Sequence, residues 1–277
     1  MPRPKDPKQP KLSLKDRRRR LVWVKVAAGT AVVALSLVVV WYVARLPEIT
    51  VAGVEVSGTN LVDASNVKDL VESKLAGSYL FLVPRTNSLV LPRGDLAAAV
   101  VQAYPEVDAV SVIRDGWQKV TVLVTEREPS ALWCLSATEQ EADAGQLSCY
   151  LMDKNGFIFA PAKDSSKIFT RFFGVLSGEP IGQKYLPDDF ASFKSFVEEI
   201  SSTAHRTPQS VLVEQNDDAS ITFVQGGVLK FVRTADHEST LNNIASVFSS
   251  RRLDTKEKLD YADFRFGNKV YVKFIEE

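Results

Sequence analysis

Residues that carry chemistry are scarce in this chain of 277 residues, which has two Cys, two His and two Met. His205 and His237 have no Cys or second His at ligand spacing, so no zinc donor set forms and both are expected on solvated helix ends. A glycine-rich loop followed by Lys-Ser or Lys-Thr is absent, and Gly226-Gly227 reads as a turn, which leaves phosphate chemistry without a cradle. The acid pairs Asp188-Asp189, Glu198-Glu199 and Asp217-Asp218 are consecutive, which on a helix points them apart, and solvated surface is the expectation for all three. Net charge is missing too. With 34 Lys plus Arg against 34 Asp plus Glu, the chain is neither a uniformly basic nucleic-acid binder nor a strongly acidic disordered polymer. No enzyme activity, cofactor, metal or nucleic-acid partner is expected.

What is present is unevenly spread. Residues 1–45 carry eleven Lys or Arg against only Asp6 and Asp16, whereas residues 46–277 carry 23 basic against 32 acidic residues. Residues 1–20 hold nine of those cations, four prolines and little that is apolar, so they cannot offset the entropy of ordering and are expected to be a disordered basic tail. The segment 21–45 follows as a transmembrane helix. Residues 26–44 contain no charge, and as a helix they span about 29 Å, near the hydrocarbon thickness of a bilayer. Trp23 at one end and Trp41-Tyr42 at the other fit interfacial belts, and Lys25 is placed to snorkel. Four arginines at 17–20 precede the span and Arg45 follows it, so the positive-inside rule keeps the tail cytoplasmic and the bulk of the chain outside. The polybasic block also suits anionic headgroups. A cleaved signal peptide would need a shorter apolar stretch and small residues at its end, where this one has Trp41-Tyr42-Val43-Ala44.

Cys134 and Cys149 lie in the outer region and flank an acidic insert, residues 136–148, between two strand-like runs. A disulfide across antiparallel strands and a pair of reduced buried thiols both remain open.

Residues 46–128 read as strand, helix, helix, strand, strand. Ile49, Val51, Val54 and Val56 make an imperfect strand ending at Ser57-Gly58. Asp63 caps a helix carrying Val67, Leu70, Val71 and Leu75, and an apolar connection interrupted by Pro84 follows. Pro92 opens a second helix with Leu96, Ala99, Val100 and Ala103, and a hairpin turns at Asp115-Gly116 between two valine-rich strands. This order puts two helices on one face of a small sheet. Residues 129–277 change to short strands with a few helices. Hairpin signals stand at Lys154-Asn155-Gly156 and Gly267-Asn268, and strand-like runs at 168–173, 210–213, 220–224 and 228–232. A helix opens at Pro187, another carries Leu241, Ile244, Val247 and Phe248, and the final strands cover 261–266 and 269–275.

The element order, together with Ile49-x-Val51-x-x-Val54-x-Val56-x-Gly58, Tyr104-Pro105-x-Val107-x-x-Val110-x-Val112-x-Arg114 and above all Thr125-Glu126-Arg127-Glu128-Pro129-Ser130-Ala131-x-Trp133, resembles that of the bacterial cell-division protein family FtsQ/DivIB. Asp115-Gly116-Trp117 stands where the family usually has a proline. The hairpins at 151–159 and 263–273 are similar to those of the family's second domain, while the acidic insert departs from its pattern. The resemblance implies an α+β protein with an N-terminal transmembrane helix, a β-α-α-β-β POTRA domain over 46–128 and a β-rich domain over 129–277 with helices on one side. It implies a non-catalytic scaffold of the divisome and of septum formation, held in the inner (cytoplasmic) membrane. Its terminal hairpin would receive small bitopic coiled-coil partners of the FtsB and FtsL/DivIC type, and its POTRA domain other division proteins.

The last strand is expected at a sheet edge, where unpaired N–H and C=O groups accept a partner strand. Val270, Val272 and Phe274 alternate to one face, Lys269, Tyr271 and Lys273 to the other, and Tyr261, Asp263 and Arg265 share a face of the preceding strand. Arg265 and Phe266 match the family's Arg-aromatic pair, with Arg265 expected to grip an acid on the incoming strand bidentately; a surface Arg that makes only local contacts is the other reading. Tyr271→Pro is expected to weaken capture. Two other readings stand beside this one. A different POTRA protein of envelope assembly or secretion would want a β-barrel pattern, which does not follow. A Ser/Lys cell-wall enzyme would use Ser65 and Lys68 of Ser65-Asn66-Val67-Lys68, but the companion Ser-Asp-Asn and Lys-Thr-Gly elements are absent.

Overall fold

The computed structural model describes residues 14–135, 148–162, 169–249, 258–267 and 269–275. The chain divides into two compact units, residues 1–59, 63–100 and 110–124 forming the first and residues 60–62, 101–109 and 125–277 the second.

Helix α1 (Leu14–Val43) carries a segment long and apolar enough to cross a membrane, with none of it buried inside the protein. Its two polar residues within the apolar stretch satisfy themselves: Thr30 donates to the Ala27 carbonyl at 3.0 Å and Ser36 to the Val32 carbonyl at 2.9 Å. Neither of these two hydroxyls therefore needs water. Residues 14–20, expected as part of a disordered tail over 1–20, are instead helical, because the helix already begins at Leu14. Lys and Arg are good helix formers and no proline follows Pro10 until Pro47, so the apolar helix propagates back through the four arginines. Residues 1–13 lie outside the described residues.

After a turn at Pro47–Ile49 come β1 (Gly53–Ser57), α2 (Ala64–Leu75), the short hairpin β2 (Ser78–Tyr79) and β3 (Val83–Pro84), α3 (Arg93–Ala103), β4 (Val107–Asp115) and β5 (Lys119–Glu126). The sheet order is β1-β5-β4, with β1 parallel to β5 and Val54 opposite Val120. Val67, Val71 and Leu75 of α2 and Leu96 and Val100 of α3 are buried, as are Val54, Val112, Val120, Val122 and Val124 of the sheet. Each such side chain contributes about 1.5–3 kcal/mol of burial. Asp63 caps α2 as expected, accepting from the Ser65 N–H at 2.8 Å. The first strand starts later than its valine pattern suggested, since Pro47 sets a helical turn and the Val51 and Ala52 N–H groups go to the Thr86 and Gln118 carbonyls. Gly58, at φ +87°, permits a close pass: a Cβ there would stand 2.2 Å from the Val124 carbonyl oxygen.

The second unit is built on a nine-stranded sheet. In chain order its elements are β6 (Ala131–Cys134), β7 (Cys149–Met152), β8 (Ile158–Pro161), β9 (Arg171–Phe173), α4 (Phe190–Ala204), β10 (Pro208–Val213), β11 (Asp218–Phe223), β12 (Val228–Val232), α5 (His237–Phe248), β13 (Leu259–Phe266) and β14 (Lys269–Phe274). The spatial order is β14-β13-β12-β11-β10-β9-β6-β7-β8. Neighbours β9/β10 and β12/β13 are parallel, and α4 and α5 fill the long crossovers that parallel pairs require. Phe190, Phe193, Phe196, Val197 and Ile200 of α4 and Ile244 of α5 join Trp133, Phe172, Ile221, Phe231 and Phe264 in one core. Its rings meet edge to face, as in Phe172 against Phe190 at 5.2 Å. Pro187 does not open α4 directly. Leu186, at φ +47°, first makes a turn in which Asp189 and Phe190 donate to its carbonyl.

Cys134 and Cys149 sit opposite each other on β6 and β7 and are joined by a disulfide. Closing a loop of this length contributes about 3 kcal/mol by constraining the unfolded chain. Ile168 and residues 136–147, nearly all of the acidic insert, lie outside the described residues.

The Glu126-Arg127 pair singled out in the sequence organises the second unit. The Glu126 carboxylate accepts the N–H groups of Asn60, Leu61 and Val62 at 2.8–3.0 Å. Arg127 donates to the Pro105 carbonyl, to Asp108 and, at 2.7 Å, to the buried Asp153, with its guanidinium 4.2 Å from the Phe157 ring centre.

Candidate functional site

Strand β14 is an outer strand of the nine-stranded sheet. Its register on β13 pairs Tyr261 with Lys273, Ala262 with Val272, Asp263 with Tyr271 and Phe266 with Lys269. The Ile275 N–H is donated back to the Lys258 carbonyl at 2.8 Å. Backbone groups of successive strand residues point to alternate sides, so the odd-numbered residues face β13. Val270, Val272 and Phe274 thus turn their N–H and C=O groups toward the outer side of β14, where no strand of the described residues pairs. The opposite outer strand, β8, is not open in this way. There Ile158 donates to the Gln183 carbonyl and accepts from Gly182, and Phe157 bridges Lys184, so a passing segment covers it.

Side chains of β14 follow the expected alternation except at Val272, which was expected on the face of Val270 and Phe274 but is 36% exposed. Val270 and Phe274 pack against the core beneath the helices, while Tyr271 stands on the other face. Tyr271 is 53% exposed and Phe266 56%, and the two rings meet edge to face at 5.3 Å and 87°. Both keep large apolar area in water beside this outer strand. Tyr261 belongs to the same face, with the Lys230 ammonium 5.6 Å from its ring centre. Lys273 pairs with Asp260 at 2.9 Å.

Arg265 is the one predicted site residue whose role changes. Between Asp263 and Phe266, β13 carries an extra residue relative to β14, a bulge that buries Phe264 and turns Arg265 back on its own strand. Its Nε and Nη2 grip the two oxygens of Asp263 at 3.0 and 2.8 Å, and Nη1 reaches Asp218 at 2.6 Å. The bidentate fork expected to hold a partner's acid is closed on an acid of the same chain. What Arg265 does here is fix the bulge and, with its guanidinium 5.8 Å from the Phe266 ring centre, steady that ring. Asp218, Lys230 and Asp260 had no local signal. Asp218 lies 47 residues from Arg265, and the pair Asp217-Asp218, expected as solvated surface, is engaged by Arg233 and Arg265. Asn268 of the connecting turn lies outside the described residues.

Burial opposes ionisation of Asp263, but hydrogen bonds from the Arg265 side chain and N–H, with the charges of Arg265 and Lys230, outweigh it and hold the carboxyl below its ordinary value. A carboxyl depressed on folding stabilises above its unfolded pKa of about 3.9, and that contribution fades as pH falls through the folded value. The stability difference between the native chain and Asp263→Asn is therefore expected to be constant from pH 7 to about 5 and to shrink below about pH 4. Urea midpoints across that range check this, and a difference that does not change down to the acid limit would remove the ion pair from the stability of the hairpin.

The other candidates occupy ordinary positions. The Ser65 hydroxyl donates to the capping Asp63 at 2.8 Å, and Lys68 stands 3.8 Å from Glu72. His205 ends α4 in a left-handed conformation, and His237 begins α5 with its ring stacked 3.8 Å from that of Phe196. Among the described residues, no group of three or more His, Cys, Asp or Glu is arranged to hold a metal ion. Comparison with family models and with curated proteins returned no match for the chain.

Proposed function

We propose that the chain is a membrane-tethered, non-catalytic scaffold of bacterial cell division, of the FtsQ/DivIB kind, that captures small bitopic partners by strand addition to β14. The observation that carries this reading is the asymmetry of the large sheet. Strand β8 is covered by residues 182–184, while β14 turns three alternate backbone positions, 270, 272 and 274, to a side where no described strand pairs, beside an exposed Tyr271–Phe266 pair. Main-chain pairing would supply affinity there and the two rings a specific surface for the incoming side chains. The β-α-α-β-β order of residues 53–126, with the short β2–β3 hairpin set between its two helices, supports the POTRA reading of the first unit, which leaves that unit available to other division proteins. Helix α1 is the anchor, and its amino-terminal arginines orient it with the tail in the cytoplasm.

The test is co-purification of the full chain, in detergent, with its small bitopic partners, with and without residues 270–277. Loss of capture with the β domain still folded is the expected result. Retained capture would sink the edge-strand mechanism.

A further inference from the structure

The first unit carries a second exposed apolar feature, at the tip of the β2–β3 hairpin. Leu80 is 86% and Phe81 89% exposed, the highest values among the exposed large apolar side chains of the described residues. Both central residues of this turn have positive φ, +46° and +61°, with the Leu82 N–H closing it on the Tyr79 carbonyl at 2.9 Å. Hairpins normally fill such a turn with Asn-Gly, because bulky side chains are strained there. Leu80-Phe81 is thus unfavourable for the backbone and for water, and neither side chain is buried by the fold.

The position of the tip indicates what it touches. Arg45, two residues beyond the end of α1, donates through Nη1 to the Leu82 carbonyl at 2.5 Å and to the Trp41 carbonyl at 3.3 Å, and through Nη2 to the Phe81 carbonyl at 3.2 Å. Its guanidinium also lies 4.4 Å from the Trp41 ring centre. A single nitrogen therefore joins the last turn of the membrane helix to the hairpin tip. The base of the hairpin is fixed to the same helix end: buried Asn87 donates to the Ala44 carbonyl at 2.9 Å, and the Ser88 N–H goes to Ile49. Trp41 and Tyr42, both exposed, mark the level at which aromatic belts sit. Exposed Arg85, with its guanidinium 5.6 Å from the Tyr79 ring centre, adds a cation suited to lipid phosphates.

We infer that the β2–β3 tip is a membrane foot: Leu80 and Phe81 insert into the outer interface of the bilayer that α1 crosses, and Arg45 locks the foot to the helix. The inference rests on the anchor reading of α1. Two points of contact fix the tilt of the first unit on the bilayer, where a single helix and a free linker would leave it to swivel.

The test is site-directed spin labelling of the full chain in nanodiscs of mixed phosphatidylcholine and phosphatidylglycerol. The chain's only two cysteines are joined to each other, so an introduced one is labelled selectively. Labels at Leu80→Cys and Phe81→Cys in separate samples are compared with Val38→Cys on α1 and with Lys74→Cys on exposed α2. The expected result is loss of relaxation by a water-soluble nickel chelate at 80 and 81, with oxygen still effective, as at 38 and unlike 74. Full nickel access at 80 and 81 while 38 is shielded would overturn the foot and keep the anchor. Shielding from both reagents at 80 and 81 would mean protein contact and also overturn it. Nickel access at 38 would remove the anchor and the foot together.

Discussion

Replacing Arg127 by Met is expected to destabilise the second unit by about 3–5 kcal/mol, the usual result of leaving one member of a buried ion pair without its partner. The side chain of Arg127 is 14% exposed and that of Asp153 8%, so little water can take over when the guanidinium is removed. Asp153 holds two further bonds through Oδ1, from the N–H groups of Asn155 and Phe157, and these shape the β7–β8 turn. A carboxylate left unpaired there costs more than the pair contributes. The link to Asp108 adds little, since that carboxylate is more than half exposed. Adding Asp153→Asn is expected to recover part of the loss, because the amide oxygen still accepts from Asn155 and Phe157 while the buried charge is gone. Urea unfolding followed by near-ultraviolet circular dichroism measures both variants. A single-variant cost below about 1 kcal/mol would place Arg127 among ordinary surface ion pairs.

That same motif shows what a sequence makes legible. Glu126-Arg127 stood out in the sequence, yet its contacts are to residues 60–62, 105, 108 and 153, none of which could be named from the spacing. Elements governed by local rules were readable: the Asp63 cap, the helix periods of α2 and α4, the Asp115-Gly116 turn and, Val272 apart, the alternation of β14. Elements decided by partners at a distance were not. The start of β1 moved because Val51 and Ala52 donate to residues 86 and 118. The role of Arg265 moved because a bulge and Asp218, on a strand two places away in the sheet, close its fork. The hairpin of residues 78–84 read as an unassigned apolar connection, since nothing in Tyr79-Leu80-Phe81-Leu82 announces a turn of positive φ. At the candidate site, the strand and its place at a sheet edge were expected from the sequence, whereas the cover that residues 182–184 lay over the opposite edge had no local signal.

Proline substitution along β14 is expected to separate a docking edge from a merely exposed one. The direction of each N–H decides the outcome. Tyr271 faces β13, so Tyr271→Pro removes a ladder bond inside the protein and is expected to loosen the terminal hairpin, which confounds any loss of capture. Val272 faces outward, so Val272→Pro removes a donor that only an incoming strand would use, and edge strands tolerate proline where the missing N–H points to the open side. The expected result is an unchanged unfolding midpoint with partner affinity weakened about 10- to 100-fold, the equivalent of one unmade hydrogen bond in a desolvated interface. Val272→Thr, which keeps the N–H and nearly the same shape, should bind like the native chain. Isothermal titration with the extracytoplasmic segment of a small bitopic partner reads both effects. Native affinity in Val272→Pro would mean that the partner holds the exposed Tyr271–Phe266 face rather than the backbone, because only the side-chain surface survives that substitution intact.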